Sequence, residues 1–189
     1  MVTVERRGSG RWKRYVEIVK EIWPQLFNVF FTYFVSLSLF PSVLVVTDST
    51  SGSLGKYWSV VVCFLSFNLC AMIGNLLVDA IKQKVPPNQL WILTVSRILF
   101  IPFFLFCNAK PDDRTWAVLF PQDWVYGTGV AVMALTSGYT SSLAMIYAPV
   151  SVSDPANAST AGMMASFSLM IGIMSGILFS NALTYIITI

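Results

Sequence analysis

Phe64, Asn68, Ala71 and Asn75 follow one another at i, i+4, i+7 and i+11 inside residues 57–78, YWSVVVCFLSFNLCAMIGNLLV, a stretch without charge between Lys56 and Asp79. At 3.6 residues per turn these four positions fall on one face of a helix. Two amides and a ring on one face are materials for holding a neutral polar solute. Amides bond hydroxyl and ring-nitrogen groups, and aromatic rings stack on flat ones. In hydrocarbon an unpartnered amide is costly, so this face is expected to meet other helices or a water-filled cavity rather than lipid.

The surrounding chain has the composition of a membrane protein. Its 189 residues are 56% hydrophobic and 11% charged, with a mean hydropathy of +0.69. Soluble domains carry about 25% charge. The apolar residues come in blocks, and a bilayer core takes about 20 helical residues at 1.5 Å each. The sequence therefore predicts an all-α, polytopic membrane bundle of five transmembrane helices, at about 22–46, 57–78, 90–108, 124–150 and 160–189. A basic N-terminal segment, 1–21, precedes them.

Each block carries local signals. Pro24 suits a first helical turn, and Pro41, after Phe40, should kink or end the first helix. Residues 47–56 (TDSTSGSLGK) and 79–89, with Pro86-Pro87, read as connections. In the third block Arg97 either snorkels to the interface or faces the bundle and pairs with something, and Pro102 kinks the helix. The fourth block holds Gly127, Gly129 and the run 136–142 (TSGYTSS), which either packs tightly or lines a cavity. Trp124 and Tyr126 are expected as interfacial anchors. In the fifth block Gly172, Gly176 and Ser180 form a small-xxx-small ladder for close helix contact.

Charge sets the orientation. Segments 1–21, 79–89 and 151–159 hold six, two and no Lys or Arg, against one and two in 47–56 and 109–123. The excess predicts a cytoplasmic N-terminus and an extracellular C-terminus. The Asn157-Ala158-Ser159 sequon would then face the cytosol and stay unmodified. The run Arg6, Arg7, Arg11, Lys13, Arg14 and Lys20 either touches anionic lipid or only orients the chain; it is no sign of a nucleic-acid partner. Residues 22–47 are too long for a signal-peptide core, and no small-residue cleavage site follows them.

Much chemistry is excluded. The chain has no histidine, and its three cysteines, Cys63, Cys70 and Cys107, lack disulfide or zinc spacing. The nine acidic residues lie in flanks and loops, so paired carboxylates within a span are ruled out. No Walker or dinucleotide glycine pattern appears. An enzyme is not expected, and neither a cofactor nor a metal. A passive pathway for a neutral solute remains, beside a structural or chaperone-like membrane protein.

Several segments then read together. Phe40-Pro41, residues 63–68 (CFLSFN), Arg97 with residues 100–102 (FIP), residues 107–111 (CNAKP), Ser137-Gly138-Tyr139 and Thr160-Ala161-Gly162 occur in an order that resembles the C-terminal half of the equilibrative nucleoside transporter family. The resemblance runs from about Tyr15 onward. It implies a fold similar to the major facilitator superfamily, with about eleven spans, of which these look like the last five. It also implies energy-independent movement of nucleosides, and sometimes nucleobases, by alternating access, with the plasma membrane as the default location. The family's orientation agrees with the charge count. Carried over by motif, Phe40, Phe64 and Asn68 would line the substrate site, with Ile173 from the last span.

Two departures accompany the resemblance. After Phe-Asn the family usually places an aspartate three residues on and then a Gly-Arg pair, the charges that hold ribose and base. Here those positions are Ala71 and Gly74-Asn75. Losing both together orphans no buried charge, so folding is expected to survive while nucleoside transport weakens or changes. The second departure is length: a site closed between two bundles needs a six-span N-terminal half or an equivalent bundle as partner, besides nucleosides and membrane lipid, so a fragment or truncated form of a larger transporter is expected. The competing expectation is a non-transporting interaction or regulatory protein that keeps the fold.

Overall fold

A computed structural model describes residues 2–47, 49–50, 52, 55–108 and 118–188, with side chains from Trp12 to Tyr185. Residues 109–114 and the side chains of Arg6, Arg7 and Arg11, singled out above, lie outside the described residues.

Helix α1 spans Val2–Leu39 and takes the basic segment and the first apolar block in one run. Its buried line, Ile18, Ile22, Gln25, Val29, Thr32, Ser36 and Leu39, alternates steps of four and three, the spacing of a helix laid along helical neighbours. That line continues on both sides of Pro24, which therefore lies inside the helix and not in its first turn. Ile18 and Ile22 pack with Ala161 at the start of the last helix, and this holds the turns ahead of the proline. Pro41 ends α1 as expected: a cis Phe40-Pro41 bond leads into the short helix α2, Ser42–Val45.

The second block opens with a 3₁₀ turn, Gly55–Tyr57, and a wide π-type segment, Ser59–Leu65, before helix α3, Ser66–Ala80. The third is divided into α4 (Leu90–Ser96), a 3₁₀ turn (Arg97–Leu99) and α5 (Phe100–Leu105). Pro102 has no N–H to donate, and the chain tightens just ahead of it. An isolated bridge between Cys107 and Phe120 follows. Helices α6 (Asp123–Val150) and α7 (Ala158–Thr188) complete the chain, joined through a 3₁₀ turn that Asp154 caps by accepting from Ala156 N. Four stretches are long and apolar enough to cross a membrane: Trp12–Val45, Gly55–Ala80, Asp123–Val150 and Pro155–Tyr185. Leu90–Leu105 is a shorter apolar helix. The chain is a helical membrane bundle.

Two parallel helix pairs form the framework. α7 lies on α1, where a Cβ added to Gly172 would stand 2.5 Å from Phe30 O and one on Gly176 2.7 Å from Phe34 O. Ser180 completes this ladder with a 2.8 Å hydroxyl pair to Ser42. α3 lies on α6 by the same device: a Cβ on Gly74 would run into Leu135 O, and one on Gly138 would run into Ala71 O. α6 runs antiparallel to α1, with Ser36 Oγ 2.9 Å from Ser137 Oγ. In the small-residue run of α6, residues 137–141 are buried and packed, with Thr140 Oγ1 turned back to Thr136 O and Ser141 Oγ to Gly138 O.

Side chains tie the loops to the helix ends. At one end Asp123 accepts from Ser49 Oγ (2.6 Å) and Thr50 N (2.9 Å), and Trp58 Nε1 donates to Thr47 O (3.0 Å). Tyr126 is buried there and donates to Leu44 O at 2.8 Å, so it ties α6 to α2 instead of anchoring at an interface. At the other end Glu21 accepts from Ser153 N and Oγ (2.9 and 3.0 Å), and Tyr147 OH donates to Val85 O (2.8 Å).

Because the atoms facing Gly172 are backbone, Gly172→Ala should lower stability by about 1–3 kcal/mol, the usual cost of overpacking. Gly162 has nothing within 4 Å of its added Cβ, so Gly162→Ala serves as the control. Thermal melting in detergent should separate the two; equal melting temperatures would refute the close contact.

Candidate functional site

The side of α3 that packs on α6 is marked by Gly74 and Val78, and continues to Cys63 of the π-type segment, with Phe67, Cys70 and Ala71 half-buried. Asn68 and Asn75 lie beside that seam and are exposed. Their face was expected to meet other helices or a water-filled cavity, and the two amides differ in what they touch. Asn75 Oδ1 accepts from Ser142 Oγ of α6 at 2.9 Å, whereas Asn68 Nδ2 turns back to Phe64 O, 2.8 Å away on its own helix. Ala71 contributes its carbonyl to the glycine contact below Gly138.

Phe64 belongs to the π-type segment, where Ser66 Oγ reaches Val61 O, five residues back, at 3.0 Å. A π turn takes an extra residue and so shifts the register of what precedes it. Phe64 is 40% exposed and meets Phe40 edge-on, with ring centroids 5.3 Å apart. Phe40 also stacks on Phe67 at 4.4 Å. The structure thus brings Phe40 and Phe64 into direct contact and adds Phe67, which the sequence reading passed over although it adjoins Asn68. An open cleft of ≈ 750 Å³ runs from Phe64 past Pro41 and Ser42 to Asn181 and Thr184 of α7. Ile173 is half-buried on α7, which packs along α1, so it belongs to the other helix pair.

Behind this face Arg97 is buried, at 1% exposure, which resolves the choice between snorkelling and facing the bundle. Nη1 donates to Met133 O (3.0 Å) and Thr136 Oγ1 (2.5 Å), Nη2 donates to Ser36 Oγ (2.8 Å), and the guanidinium lies 5.9 Å from the Phe100 ring centroid. Its partners are neutral oxygens on α1 and α6, with no carboxylate among them. Among the described buried side chains, Nε of Arg97, Oδ1 of Asn28 and Oγ1 of Thr32 have no hydrogen-bond partner.

The arrangement offers amides and rings along one flank of α3, and a cation held away from that flank. It can bind neutral polar groups and flat rings. Ser142 is the contact that sequence reading missed. Its signal was its place one helical turn beyond Gly138, the glycine that admits α3.

Long apolar helices, glycine crossings and a polar flank define a polytopic helical membrane protein. Residues 3–185 match the family model described as "Nucleoside transporter", so the chain belongs to the nucleoside transporter family. It is 34% identical over 168 residues to equilibrative nucleoside transporter 1 of Homo sapiens, covering 86% of this chain and 36% of that protein. Its identity to equilibrative nucleoside transporter 1 of Rattus norvegicus is 35% over 169 residues, with the same 86% and 36% coverage. Equilibrative nucleoside transporter 2 of Homo sapiens is 32% identical over 162 residues, 84% of this chain and 35% of that protein. The chain thus spans about a third of the length of the curated relatives it matches.

Arg97→Lys keeps the charge but loses the fork that reaches α1 and α6 together. Each charge-assisted hydrogen bond lost should cost about 1.5–3 kcal/mol. The variant should melt at a lower temperature in detergent, and a melting temperature equal to the parent's would refute the clamp.

Proposed function

We propose that this chain forms the C-terminal half of a facilitative transporter that moves nucleosides down their gradient by alternating access. A six-span N-terminal half closes the passage on the α3–α6 flank. The observation that carries this reading is the exposed pair Asn68 and Asn75 on the helix that follows the Phe40–Phe64 contact, in a chain whose five apolar blocks hold no acidic residue. Exposed amides at membrane depth are stable beside a wet cavity or a partner, and costly against acyl chains. The cleft next to Phe64 lies at the same end of the bundle. The family relationship supports nucleosides as the cargo: amides suit ribose hydroxyls and base edges, and rings suit the base face.

In this reading Phe40, Phe64, Asn68, Ala71 and Asn75 form the half-site contributed by the first two spans, and Ile173 joins from the last. Residues 1–21 lie on the cytoplasmic side, the C-terminus is extracellular, and the protein resides in the plasma membrane. Asn157, whose Oδ1 accepts from Arg14 Nε at 2.6 Å, then sits in the cytosol. Treatment with an N-glycosidase should leave the electrophoretic mobility of protein expressed in eukaryotic cells unchanged, and a downward shift would reverse the orientation.

Ala71 and Asn75 replace an aspartate and an arginine of the family pattern, so substrate is held here by neutral groups. Restoring both in one double change, Ala71→Asp with Asn75→Arg, should lower the KM for labelled uridine or adenosine about tenfold. One charge-assisted hydrogen bond contributes about 1.5–3 kcal/mol, enough for that factor. Uptake into vesicles holding this chain with its N-terminal half measures it. An unchanged KM would remove that flank of α3 from the passage.

A further inference from the structure

Gly138 and Ser142 are successive residues on the side of α6 that faces α3. A side chain at Gly138 would stand 2.9 Å from Asn75 Oδ1, so the bare glycine leaves room for that oxygen in the seam. Ser142 Oγ donates to the same oxygen at 2.9 Å. A carboxamide has an accepting and a donating end of nearly equal shape, and the bond one end makes decides what the other presents. With Oδ1 engaged in the seam, Nδ2 is the end left to the open flank.

We propose that Ser142 is a positioning residue that sets base selectivity. It fixes the Asn75 amide with its N–H groups outward, so the passage favours nucleosides whose base offers a carbonyl oxygen there over those offering an amino group. This deepens the nucleoside reading above and rests on it. Facing an amino group, the locked amide sets donor against donor and leaves both unpaired. Sites built to hydrogen-bond one partner reject the mismatched one on that ground. Without the hydroxyl, the amide is free to rotate by half a turn and accept, and the discrimination fades.

The test compares nucleosides that differ by this exchange, uridine with cytidine and inosine with adenosine, as kcat/KM ratios in vesicles holding this chain with its N-terminal half. The parent should favour the oxo member of each pair. Ser142→Ala should shrink that ratio about fivefold, the scale of one neutral hydrogen bond, and Ser142→Thr, which keeps the hydroxyl, should restore it. On an Asn75→Ala background, Ser142→Ala should add no further change. A merely structural role would lower uptake of all four together and leave the ratios alone. Parent uptake with ratios unmoved by Ser142→Ala overturns the role of Ser142 and spares the nucleoside reading. A parent that carries none of the four overturns that reading, and the selectivity assignment with it.

Discussion

The backbone contact between α3 and α6 is the constraint on which the site depends. Gly74 and Gly138 each remove a side chain where the other helix's carbonyl passes, at Leu135 and Ala71. Dispersion falls off steeply with distance, so helices in close contact gain where lipid would otherwise compete on equal terms. The approach also decides chemistry. It brings Ser142 within hydrogen-bonding distance of Asn75 and leaves Asn68, about two turns earlier, bonded only to its own helix. Only Asn75 acquires its partner from another helix.

Arg97 shows a second principle. A buried cation is costly unless it is satisfied, and in lipid an isolated carboxylate beside it would be costly as well. The bundle holds the guanidinium with a main-chain carbonyl and two hydroxyls drawn from α6 and α1. Ser36 links the same point to Ser137. One side chain on the divided third helix thus joins the two helices on either side of it. The interior cation is separated from the outer flank of α3, where Ala71 and Asn75 are neutral.

Much of this was legible in the residues. Block lengths marked where helices run, because hydrocarbon thickness sets the length of a span. The glycine–glycine–serine ladder of α7 pointed to close packing, since missing side chains are visible in sequence. Pro24 was misread: a proline's tolerance inside a helix depends on tertiary contacts on both sides of it, here Ile18 and Ile22 ahead of it and Leu26 beyond, packed with Ala161. Tyr126 was misplaced because an aromatic ring with a hydroxyl suits an interface and a buried carbonyl equally well. The pairing of Asn75 with Ser142, 67 residues apart, was not legible. Periodicity says which residues share a face, but not which neighbouring helix lies against it.

The helix that carries the amides is also the least enclosed of the four long apolar stretches: 11% of the most apolar window of Gly55–Ala80 is buried, against 61% for Asp123–Val150. It grips its neighbour along a single narrow seam. Its membrane entry and its docking are therefore separable events during biogenesis. The helix is apolar enough to leave the translocon ahead of α6, and Asn75 gains its partner only when α6 is synthesised and slides alongside.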